Sequence, residues 1–117
     1  MFLSRRIIPL ILLSQIGFAS QNDPCTNLAG NWSGKWYGTC RCDLTIEVTV
    51  FNDEYRFIDN FKNCSKHCST ATAIEYATCK DSKISFKLDK DNATGQIIDN
   101  TLTIQVGKQG AVLHKNP

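Results

Sequence analysis

Leu44-Thr45-Ile46-Glu47-Val48-Thr49-Val50-Phe51 decides the fold class. Apolar side chains at 44, 46, 48 and 50 alternate with polar ones at 45, 47 and 49. Successive side chains of an extended chain point to opposite faces, so this stretch reads as a strand with one buried face. The same rhythm returns at Ile84, Phe86 and Leu88, and again at Leu102, Ile104 and Val106. Weaker strand segments fill the intervals: Trp32 to Cys40, Tyr55 to Asp59, Ala73 to Cys79, Gly95 to Ile98 and Ala111 to His114. Turn formers stand between them, at Asn52-Asp53, Asp81-Ser82, Asp89 to Asn92, Asp99-Asn100 and Gly107 to Gly110. Short strands spaced about 8–12 residues apart predict an all-β protein, a small eight-stranded antiparallel up-and-down barrel. A β-sandwich shows the same alternation and is the alternative.

The inward faces are expected to carry Trp32, Trp36, Leu44, Ile46, Val48, Val50, Tyr55, Phe57, Ile74 and Tyr76 from the first half of the chain. Ile84, Phe86, Leu88, Ile97, Leu102, Ile104, Val106 and Val112 follow from the second. Eight short strands enclose little volume, and this set fills it, so a packed barrel is expected in place of a deep cup.

Ahead of the strands, Arg5 and Arg6 precede an apolar run from Ile7 to Phe18, with small residues at Gly17, Ala19 and Ser20. That order is a secretory signal peptide, residues 1–19, cleaved after Ala19. The run is shorter than the roughly 18–20 apolar residues that span a bilayer, so the protein is expected to be secreted or periplasmic and not membrane-embedded. Residues 20–28 are polar around Pro24 and read as an extended N-terminal arm, leaving 29–117 as one barrel domain. The chain has 13 basic and 11 acidic residues, and removing Arg5 and Arg6 leaves 11 of each. A neutral domain with scattered charges gives no electrostatic case for nucleic acid.

All six cysteines, Cys25, Cys40, Cys42, Cys64, Cys68 and Cys79, lie behind the signal. An even number in a small exported domain reads as a disulfide framework, with 15 possible pairings. Cys40 and Cys42 share a strand face and are poorly placed to bond each other, so each is expected to pair elsewhere. Cys64 and Cys68 either bridge locally or reach those two. The competing metal reading, Cys64, His67 and Cys68 with Cys40 and Cys42, lacks the paired spacing of a zinc knuckle. No metal or cofactor is expected.

Leu28-Ala29-Gly30-Asn31-Trp32 resembles the Gly-x-Trp opening strand of lipocalins, avidins and small bacterial metalloprotease inhibitors, the calycin-like barrels. The resemblance implies an eight-stranded barrel with Trp32 packed across one end. It carries no activity with it.

Catalytic constellations are missing from the sequence: no G-x-S-x-G, no H-E-x-x-H and no phosphate-cradling glycine loop. An enzyme is not expected. The favoured function is an exported protein-binding or inhibitory module. A carrier of a small apolar ligand and a structural envelope component are the alternatives. Candidate binding residues are Phe61, Lys62, Lys66 and His67 in the cysteine loop, with Trp36, Tyr55 and Tyr76 as an aromatic pocket. The partner is expected to be another protein or, failing that, a small apolar ligand.

Overall fold

The alternating stretches become strands of one sheet that closes on itself. A computed structural model describes residues 23–88 and 92–117. The segment read as a signal peptide, the start of the segment read as an arm, and Asp89 to Asp91 lie outside the described residues. The strands are β1 (Gly30–Tyr37), β2 (Cys42–Phe51), β3 (Glu54–Lys62), β4 (Ala71–Lys80), β5 (Lys83–Phe86), β6 (Ala93–Ile98), β7 (Thr101–Val106) and β8 (Gln109–Lys115). Each pairs antiparallel with the next, and β8 returns to β1, so the sheet is a closed up-and-down barrel and not a sandwich. This is the architecture that the Gly-x-Trp resemblance implies.

Local chemistry sets the turns. Asn52 and Asp53 have φ of 51° and 62°, and Asp81 and Ser82 have φ of 52° and 71°. Two positive φ values in a two-residue loop match the right-handed twist of the flanking strands, and Asn and Asp tolerate them better than other side chains do.

Closure depends on a close approach at the seam. Gly34 of β1 lies opposite Leu113 of β8. A Cβ at position 34 would overlap the Val112 carbonyl oxygen and fall 2.8 Å from the Leu113 Cα. No side chain fits there, so glycine is required for backbone proximity and not for its φ.

The core is one cluster, with Leu28, Trp32, Leu44, Ile46, Phe57, Ile84, Ile97, Leu102 and Leu113 fully buried. One end is sealed by the chain's own entry. Of the segment read as an extended arm, Pro24–Asn27 form a 3₁₀ turn, with Asp23 as its N-cap accepting from the Cys25 N–H at 3.0 Å. Leu28 then drives into the barrel, and its carbonyl accepts from the Trp32 indole N–H at 2.9 Å. Cys25 is bonded to Cys79 at the far end of β4. The Lys115 ammonium donates to the Ala29 carbonyl at 2.7 Å and stands 5.4 Å over the Trp32 ring. Trp32 therefore packs across this end, as the resemblance implies.

The other two disulfides, Cys40–Cys68 and Cys42–Cys64, tie the β1–β2 connection to the β3–β4 loop at the opposite end. Three disulfides point to an oxidising compartment.

Several inward assignments are corrected. Ile74 and Tyr76 face out, at 58% and 47% exposure, and β4 turns Ala73, Glu75, Ala77 and Cys79 toward the interior. The reason is parity: Cys79 must reach Cys25 beneath the barrel, and side chains two apart share its face. On β8, Val112 points out while Ala111 and Leu113 are buried, because Leu113 must sit over Gly34. Val50 has the inward parity but lies at the rim, beyond the last packed layer at Val48, and is exposed. Leu88 follows the end of β5.

Two outcomes test this account. Gly34→Ala is expected to destabilise the fold by about 2–3 kcal/mol or more, since backbone carbonyls cannot step aside as a side chain can; urea unfolding reads it. Replacing Cys25 and Cys79 together by Ser is expected to cost about 2–4 kcal/mol by releasing a large loop. Calorimetry should then show that pair costing more than Cys40 with Cys68, whose sequence separation is 28 against 54.

Candidate functional site

The predicted binding residues fall into three places. Lys62, Lys66 and His67 stand exposed on or beside the β3–β4 loop. That loop is held at Cys64 and Cys68, and Ser65 adds two hydrogen bonds to Arg41: the Ser65 N–H donates to the Arg41 carbonyl at 2.8 Å, and the Arg41 N–H donates to Ser65 Oγ at 3.1 Å. His67 has φ of 74°, an uncommon conformation held by its disulfide-bonded neighbour Cys68. Beside the loop, hydrogen bonds from Lys35 and Asn63 hold the Asp43 carboxyl below the usual carboxylate range.

Phe61 does not join those cations as a surface anchor. By strand parity it turns into the mouth of the barrel, where it meets Trp36 edge-on at 5.6 Å between ring centroids. The Trp36 indole N–H donates to Gln109 Oε1 at 3.3 Å. Beneath this pair lies an internal cavity of about 40 Å³, lined in part by Trp36, Phe61, Phe86, Asp59 and Glu75. Asp59 follows Phe57 and precedes Phe61 on the inward face of β3 and is only 4% exposed. Its Oδ1 has no hydrogen-bond partner among the described residues. Glu75 enters from the inward face of β4, one step diagonal in register, since Glu75 pairs with Phe57 and Asp59 with Ala73. Burial in the apolar barrel, reinforced by the neighbouring Glu75 carboxyl, pushes Asp59 up to about 9.

Tyr55 and Tyr76 meet at a different place, a groove of about 480 Å³ on the outer rim at the β2–β3 hairpin end, where Tyr55 still packs against the core. Thr49, Val50, Phe51, Glu54 and Arg56 complete it. Phe51, beside the tight Asn52-Asp53 turn, is 71% exposed. Tyr76 lies directly opposite Arg56 in the β3–β4 ladder, and Ile74 opposite Ile58. Glu54 pairs with Lys87, whereas Arg56 makes no ion pair among the described residues. The Tyr55 hydroxyl donates to the Cys25 carbonyl at 3.2 Å. Desolvation, followed by the nearby Asp23 and Asp53 charges, raises its pKa.

The aromatic pocket expected from Trp36, Tyr55 and Tyr76 is thus divided between an inner mouth and an outer groove. Asp59, Glu75, Phe51 and Arg56 were missed. Asp59 was open to discovery, since it continues the inward parity of Tyr55 and Phe57. Glu75 needed the parity of Cys79.

No protein-family model, curated protein or solved structure matches the chain.

The raised Asp59 pKa has a consequence for stability. Between the ordinary value of 3.8 and about 9 the folded barrel holds a proton that the unfolded chain releases. The stabilisation is complete below about pH 4 and is lost as pH rises toward 9. Melting temperature is therefore expected to fall between about pH 5 and pH 8.5. Asp59→Asn should flatten that slope and raise the melting temperature at the alkaline end; a parallel curve for the variant would refute the assignment.

Proposed function

We propose that the protein is an extracellular, non-enzymatic module that binds another protein through the outer groove at the β2–β3 hairpin. The observation that carries this reading is the grouping of Phe51 and Tyr76, both strongly exposed, with Arg56 in the groove, and exposed Ile74 two residues from Tyr76 on the same face of β4. Aromatic side chains with an arginine are the types that anchor protein interfaces. Contiguous exposed apolar surface is costly to maintain on a soluble domain without a use. A closed barrel has no free strand edge, so a partner gains nothing by adding a strand and must be recognised through side chains. The partner's contact is an apolar side chain flanked by a carboxylate that meets Arg56. The disulfide-pinned loop bearing Lys62, Lys66 and His67 lies at the other end and serves rigidity in this reading. Apolar-ligand transport has little support: about 40 Å³ of internal space is far below the roughly 300–1,000 Å³ of small-molecule pockets.

A benzophenone side chain at position 51, irradiated in the extracellular fluid of the source, tests the groove. The expected result is a discrete heavier adduct that Arg56→Glu reduces at least about tenfold, with the melting temperature unchanged. The same probe at Thr103, on the far wall, should give none. Equal adducts from both positions, no adduct, or an adduct of the protein with itself would each overturn the reading.

A further inference from the structure

Among the described residues, the barrel interior holds two carboxyl groups and no cation. Among the residues lining the internal cavity, Asp59 and Glu75 are the only ionisable ones, and the remainder are aliphatic or aromatic. An unpaired acid in such a place costs free energy unless it keeps its proton or meets a cation. The free protein takes the first course at Asp59. Yet Oδ1 remains unpartnered at 4% exposure and lines the cavity, so the site is short of a hydrogen-bond donor as well as a charge.

What the cavity lacks defines what it takes. An anion is repelled. A neutral apolar molecule leaves Oδ1 unsatisfied. A hard metal ion needs about six oxygen ligands, and two carboxyls in an apolar wall do not supply them. A protonated amine provides both missing elements, several N–H donors and one positive charge. Trp36 and Phe61 meet edge-on at the mouth, and both are partly exposed, so solvent reaches them. Phe86 lies deeper and packs edge-on against Phe57 at 4.9 Å. Aromatic faces beside a desolvated ammonium add cation–π attraction. A volume of about 40 Å³ is little more than one water's share of the liquid, roughly 30 Å³, so it accepts the ammonium group alone. The rest of the molecule must lie in the mouth.

We propose that the loop-bearing end of the barrel binds a small primary organic ammonium, its head seated against Asp59 and Glu75 and its hydrocarbon against Trp36 and Phe61. The head donates to Asp59 Oδ1 and to the Glu75 carboxyl. The amine enters as R–NH₃⁺, Asp59 gives its proton to solvent, and the complex carries a carboxylate–ammonium pair where a neutral acid stood. No covalent bond is made or broken beyond that proton transfer. The site is independent of the outer groove, which lies at the other end of the barrel.

Isothermal titration of the disulfide-bonded protein with butylammonium, at neutral pH in two buffers of different protonation enthalpy, is the test. The expected result is saturable binding with about one proton released per amine bound. Butanol, with the same hydrocarbon and no charge, should not bind. Tetramethylammonium, charged but bulky and without N–H donors, should bind at least about tenfold more weakly. Asp59→Asn keeps the shape, should fold at least as well, and should weaken butylammonium at least about tenfold while abolishing proton release. Glu75→Gln provides a second, less buried variant with the same expected loss. The proposal is overturned if butanol or tetramethylammonium matches butylammonium, if neither variant changes affinity, or if butylammonium fails to bind the folded protein at millimolar concentration.

Discussion

The ladder between β1 and β8 is the contact on which the rest of the molecule depends. Without it the chain is an open eight-stranded sheet with two long edges, and its apolar face has nothing to cover it. The sequence serves that seam at several points. Gly34 lets two backbones approach more closely than any side chain permits. Trp32 lies next to it on the inward face and fills the barrel below. Lys115, the last residue of β8, bonds back to the segment that precedes β1 and covers the Trp32 ring. The first and last strands are therefore joined by hydrogen bonds, by packing and by one charged side chain, at one place.

Closure also makes the two ends different. One end is filled by the chain's own entry, with the 3₁₀ turn, Leu28 and the Cys25–Cys79 bond acting as a stopper. The other is left to loops, and two disulfides and the Arg41–Ser65 hydrogen bonds hold those loops still. The polar anomaly of the interior, Asp59 with Glu75, lies toward the loop end. A buried acid beneath the stopper would face tightly packed aliphatic and aromatic residues with no way out. Beneath the mouth it lies one layer from solvent, behind Trp36 and Phe61.

Most of the architecture was legible in the residues, because a barrel strand repeats one rule and β5, β7 and β2 as far as Val48 state it plainly. The turns were legible too, since Asn52-Asp53 and Asp81-Ser82 meet a backbone requirement that few other pairs meet. Reading by hydrophobicity failed where large apolar side chains face solvent. On β4 the bulky Ile74 and Tyr76 lie outside, while the interior takes Ala73, Glu75 and Ala77. Those small residues are there because Trp36, Phe57, Phe61 and Phe86 already occupy the space. A rule that assigns the larger side chain to the core has no access to that competition. The candidate site suffered most, for the same reason: its two carboxyls sit where polarity argues against placing them, and only register, pinned by a cystine, reveals that they face each other.

The seam has one more consequence, for the way the protein is made. β1 lies near the start of the folded domain and β8 at the end of the described chain, so the pair that closes the barrel is the most distant pair in it. Hairpins β2–β3, β4–β5 and β6–β7 can zip in order as the ribosome delivers them. β1 cannot complete its pairing until Gln109–Lys115 arrives. Throughout synthesis it therefore offers one bare row of backbone donors and acceptors, open to the wrong strand as well as the right one. The native state hides its edges completely, and the growing chain must keep one of them open until the last seven-residue strand is in place.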